Sequence, residues 1–69
     1  MTEKEFLKFI QDCLNEGQRL VKLYHNSEIT PWGKQWTVFA IFDAATPTFS
    51  VTTEKEAIAI KEKVSRMCR

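Results

Sequence analysis

Few side chains in this chain have types suited to chemistry. His25 is the single histidine, Cys13 and Cys68 are the two thiols, and Glu3/Glu5 and Glu54/Glu56 are the closely spaced carboxylates. Catalysis needs a nucleophile, a base and a group that stabilises developing charge. His25 sits beside Asn26 and Ser27 at what reads as the edge of a loop, where a lone histidine serves as a solvated or structural residue. Cys13 lies inside an apolar helical stripe, where a thiol packs as a small hydrophobe. Cys68 is next to the last residue, where chains tend to be loose. A zinc site needs clustered ligands, and these three soft ligands are scattered at 13, 25 and 68. Gly17 and Gly33 stand alone, so no phosphate-cradling loop is present. The expectation is a non-enzymatic protein with no catalytic residues, no metal and no cofactor.

The carboxylate pairs have a structural explanation. Each lies in a copy of "TEKE", at 2–5 and 53–56. Thr2 with Glu5, and Thr53 with Glu56, form the T-x-x-E capping box that opens a helix, and acidic side chains there suit the positive end of the helix dipole. Behind the first box, Phe6, Phe9, Ile10, Cys13 and Leu14 recur at spacings of three and four, with Leu7 at the border. Behind the second, Ala57, Ile60, Val64 and Met67 make the stripe, joined by Ile58 and Cys68. The likeness between the two segments stops with the helices, so two independent helix starts explain the repeat better than duplication.

Between the helices the chain reads as strands. Asn15-Glu16-Gly17 is a helix stop, which makes "QRLVKLYH" (18–25) a strand. Leu20, Val21 and Tyr24 also continue the helical stripe, so a first helix running to about residue 25 is the alternative. Residues 26–34, "NSEITPWGK", read as a loop; "QWTVFAIF" (35–42) is the clearest strand; "DAATP" turns the chain; and "TFSVT" (48–52) is another strand. The fold class is therefore α+β, a two-layer sandwich in α-β-β-β-α order, or α-β-β-α with the longer helix. Short connections imply an antiparallel meander with both helices on one face.

Length and composition bound the rest. The 69 residues make a single domain (1–69) with modest burial, so a partner or a second copy would help it. Ten basic and nine acidic residues are interspersed and give a net charge of +1, without the basic stripe that phosphate binding draws on. "MTEKEFLKFI" has no leader-like apolar run and no stretch is long and apolar enough for a membrane helix, so a cytoplasmic protein with no membrane partner is expected. Reduced cysteines fit that compartment; a Cys13–Cys68 bridge between the helices is the other arrangement.

The element order is similar to that of double-stranded-RNA-binding domains. In that family a lysine-rich motif at the start of the last helix grips phosphates. Here that position reads Thr53-Glu54-Lys55-Glu56, and its carboxylates would repel phosphate, so the chain is not assigned to the family.

The unusual feature is the strand 35–42, which is apolar on both alternations. Trp36, Val38, Ala40 and Phe42 point one way, and Phe39 and Ile41 point the other way with Gln35 and Thr37. With helices on one face only, the other face is either shielded by the segment holding Ile29, Pro31 and Trp32 or left open for a partner. Trp32, between Pro31 and Gly33, is likewise either tucked over the core or displayed as an anchor. The expected binding surface is Trp32, Lys34, Trp36, Phe39, Ile41 and Tyr24, meeting another protein or a second copy in a homodimer. No small-molecule substrate is evident. Free-standing chains of this size act as adaptors or as inhibitors and regulators of larger machines, including those carried by phages and mobile elements. The alternative is nucleic-acid binding, with Trp32, Trp36, Lys34, Lys22 and Arg19 as a stacking and phosphate surface.

Overall fold

The computed structural model of the protein describes residues 1–68. Helix α1 (Glu3–Asn15) is followed by strands β1 (Leu20–Thr30), β2 (Gly33–Phe42) and β3 (Thr48–Val51), and by helix α2 (Glu54–Met67). The strands form one antiparallel sheet in the order β1-β2-β3. This is the α+β meander that the patterning predicts, in its α-β-β-β-α form.

The boundaries follow from local chemistry. Thr2 Oγ1 accepts from the Glu5 backbone N–H at 3.2 Å, and Glu5 Oε1 accepts from the Thr2 N–H at 2.9 Å, which closes the first capping box. The second box is only half formed: the Thr53 hydroxyl accepts from the Glu56 N–H, and α1 alone shows the return bond. At the end of α1, Gly17 takes φ +84°, while the Gln18 N–H donates to Cys13 O and the Gly17 N–H to Leu14 O, each at 3.0 Å. That double closure is the Schellman stop, and it decides between strand and longer helix in favour of the strand. Gln18 Oε1 and Asp43 Oδ2 then accept from the Ala44 and Arg19 N–H groups, tying the start of β1 to the β2–β3 turn.

One core lies between the helices and one face of the sheet. Phe6, Ile10 and Cys13 from α1 meet Ala57, Ile60 and Val64 from α2 over Val38, Ala40 and Phe42 of β2. Phe6 is fully buried and stacks on Phe49 of β3 with ring centroids 5.5 Å apart. Cys13 and Cys68 are both free thiols. Two members expected on the buried stripes lie outside it. Phe9 sits on the flank of α1, and Ile58 follows Ala57, turned about 100° around the helix, which carries it out of the core.

The main correction concerns residues 26–34. They are not a loop: β1 continues to Thr30, reverses over Pro31-Trp32, and pairs Thr30 with Gly33 as β2 begins. Thr30 Oγ1 donates to Gly33 O at 2.8 Å and accepts from the Trp32 N–H at 3.3 Å, while Gly33 takes φ +125°, a conformation L-residues rarely adopt. β3 reaches β2 only over Trp36–Phe39, so residues 28–35 form a two-stranded arm beyond the third strand. The molecule is elongated accordingly, 38 Å by 20 Å by 20 Å.

Candidate functional site: the open face of the sheet

Strand alternation sorts β2 into two sides. Trp36, Val38, Ala40 and Phe42 face the helices, and Gln35, Thr37, Phe39 and Ile41 face away. Cross-strand register extends the second side. Tyr24 lies opposite Phe39, Lys22 opposite Ile41 and Asn26 opposite Thr37, while Thr48 and Ser50 of β3 flank Phe39 and Thr37. The Tyr24 and Phe39 rings stack nearly parallel, 4.7 Å apart at 9°, and Lys22 Nζ stands 4.7 Å from the Tyr24 ring centroid. Thr37 and Ser50 hydroxyls share a hydrogen bond of 3.2 Å on the same face. The result is an apolar strip of Tyr24, Phe39 and Ile41, half-buried by strand neighbours and rimmed by hydroxyls, an amide and an ammonium. Among the described residues, none of the three belongs to the core or packs against it.

The segment expected as an alternative shield for this face does not lie over it. Ile29 and Trp32 belong to the hairpin arm and are 89% and 92% exposed. Trp32 is displayed at the tip.

The six residues expected to bind a partner therefore do not form one surface. Tyr24, Phe39 and Ile41 come together on the open face. Trp36 points to the helix side and packs against the core, with Lys34 Nζ 4.9 Å from its ring centroid on that side. The surface of Trp32, Trp36, Lys34, Lys22 and Arg19 considered for nucleic acid is split in the same way: Lys22 is on the open face, Lys34 and Trp36 are on the other, and Arg19 precedes β1. Lys22, Asn26 and Thr37 complete the rim. Lys22 was considered from the sequence only for nucleic acid, Thr37 was placed on this side without a role, and Asn26 was assigned to a loop; extending the strand alternation through residue 30 would have placed Asn26 here.

His25 is a structural residue in mid-strand, not at a loop edge. It faces α2, where Nε2 lies 3.2 Å from Glu54 Oε2 and Nδ1 lies 3.0 Å from Lys61 Nζ. The lysine ammonium can only donate, so Nδ1 accepts from it and Nε2–H donates to the carboxylate. Both nitrogens are thus occupied in fastening β1 to α2, and Trp36 closes the site at 5.6 Å. Burial in the core pushes the Cys13 thiol up, and the nearby Glu16 and Asp12 carboxylates add to the shift, so the thiolate is disfavoured. Burial raises the Cys68 thiol in the same direction. Among the described residues no three His, Cys, Asp or Glu side chains gather as a metal site, and no helix is long and apolar enough to cross a membrane.

Compared with protein-family models, with curated proteins and with solved structures, the chain matches none.

Proposed function

We propose that the protein is a non-enzymatic interaction module that binds another protein through the open face of its sheet. The observation that carries this reading is the Tyr24–Phe39 stack with Ile41, an apolar strip on the side of the sheet opposite the helices. Aromatic side chains presented in a polar rim are the composition of interface centres. Trp32 at the arm tip supplies a second exposed aromatic anchor. An adaptor or an inhibitor of a larger assembly fits this surface better than an enzyme does, because His25 has both ring nitrogens engaged and both thiols are held toward their neutral forms.

Site-specific photo-crosslinking in the source cells tests the reading. A photoreactive residue replacing Ile41 should capture a discrete protein, and one replacing Lys8 on the outer side of α1 should not. Equal capture at both positions would overturn the proposal. Crosslinking of Ile41 to RNA or DNA would replace it with the nucleic-acid reading.

A further inference from the structure

The two edges of the sheet are unlike. β3 offers four residues, whereas β1 is an eleven-residue edge strand with half of its backbone N–H and C=O groups turned outward. Such an edge templates pairing with another strand. Most of the exposed large hydrophobic residues gather on this side. Val21 (67% exposed) and Ile29 are at opposite ends of β1, and Trp32 is just beyond it. Ile58 also belongs here: it lies between Glu54 and Lys61, the two α2 residues that reach across to His25, and so occupies the flank of α2 above β1.

We infer that β1 pairs with β1 of a second copy, antiparallel and two-fold symmetric about His25, to make a continuous six-stranded sheet. Residues opposed across an antiparallel pair share a face, so symmetric registers can be centred on any residue of β1 and differ in what they bring together. The register centred on His25 overlaps the length of β1, with a regular ladder over Lys22–Glu28 and the bulge at Val21 beyond it at each end. It sets Lys22 against Glu28 twice on the open face, and brings Ile29 of each copy to the bulged end of the other's β1. Centring on Tyr24 instead puts Lys22 against Asn26, and centring on Asn26 puts it against Thr30; neither pairs the two charges. The charges that make this edge unattractive to other strands are thus complementary to a second copy in one register.

Two further features agree. A two-stranded ribbon is marginal in water, and residues 28–30 of the arm have no β3 neighbour across the hairpin; in the dimer they lie along residues 20–22 of the other copy, the bulged end of its β1. One open face covers roughly 300 Å², from three strands about 4.8 Å apart and seven residues at about 3.3 Å each. That is well short of the roughly 800 Å² that each side of a stable interface buries, and joining two faces edge to edge doubles it. The inference rests on the interaction reading in that it enlarges the same surface, and it names a second copy as the first partner.

Sedimentation equilibrium and light scattering on the full chain test it. The wild type should show twice the 8.1 kDa of one chain. A Lys22→Glu chain is acidic at both paired positions and a Glu28→Lys chain is basic at both. Each alone should dissociate about tenfold more readily than wild type, and the two mixed should recover a dimer of wild-type strength. A chain carrying both Lys22→Cys and Glu28→Cys, in a Cys68→Ser background, should form disulfide-linked dimers, because the two positions are too far apart along one strand to bond within a chain. A wild type that stays monomeric at millimolar concentration overturns the inference, as does a mixture no tighter than its components. A monomer whose position 41 still crosslinks a partner would remove the dimer and leave the interaction reading. A dimer without that crosslink would do the reverse.

Discussion

On one side of β2, Val38, Ala40 and Phe42 are closed off by two helices; on the other, Phe39 and Ile41 have only Tyr24, Lys22 and short hydroxyl side chains for neighbours. Both sides carry large apolar residues, and they differ in what lies above them. Antiparallel sheets with one solvated face normally alternate apolar with polar, and the covered side alone suffices for a core in a two-layer domain. The second apolar side therefore adds little that folding requires. That surplus is why the proposed binding surface is placed there.

Substitutions on the two sides should separate them. Phe6→Ala opens a cavity at the centre of the covered side, under the Phe49 ring, and should cost about 4 kcal/mol. In a domain this small that is much of the total stability, so calorimetry should show a greatly lowered transition or none. Phe39→Ala removes one half of the open-face stack and should cost about 1 kcal/mol, with a coupling to Tyr24→Ala of about 0.5–1 kcal/mol in a double-mutant cycle. A cost for Phe39→Ala equal to that of Phe6→Ala would erase the distinction between the sides.

The helices covering the core differ from each other at their starts, and pH reads that difference. Hydrogen bonds from the Thr2 backbone and then the Thr2 hydroxyl hold the Glu5 carboxyl below its usual range. A depressed carboxylate contributes stability above the unfolded value, about 4.3, and loses it as pH falls through the lower folded value. The protection of α1 amides against hydrogen exchange, relative to their intrinsic rates, should fall across that acid window, and Glu5→Gln should flatten the response. Trp32→Ala should have the smallest effect, within about 0.5 kcal/mol, because the ring touches little of its own chain. A fall of several degrees in melting temperature would mean that the arm folds back.

The helices were legible because caps and stripes are local: Thr2, Glu5, Gly17 and the spacing of Phe6, Ile10 and Cys13 act within a turn or two. The two sides of β2 were legible for the same reason, through simple alternation. The arm was not. Asn26, Ser27, Thr30, Pro31 and Gly33 are turn-forming residues, and a ribbon extending past the core has no buried side to print an apolar alternation on the sequence. Ile29-Thr30-Pro31-Trp32-Gly33 ahead of "QWTV" was the available hairpin signal. That misreading placed His25 at a loop edge and hid its engagement with Glu54 and Lys61, contacts that span 29 and 36 residues. Ile58 was misplaced because a helical stripe specifies its centre more sharply than its margins.

The central claim is that the open side of the sheet serves binding and the covered side serves folding. Its most direct test is a single comparison in the Phe39→Gln variant: the thermal melt, and the yield of partner captured by a photoreactive residue at position 41. The account predicts a melt lowered by no more than a few degrees and capture lost. A variant that unfolds, or one that stays folded and captures its partner as well as wild type, would contradict it.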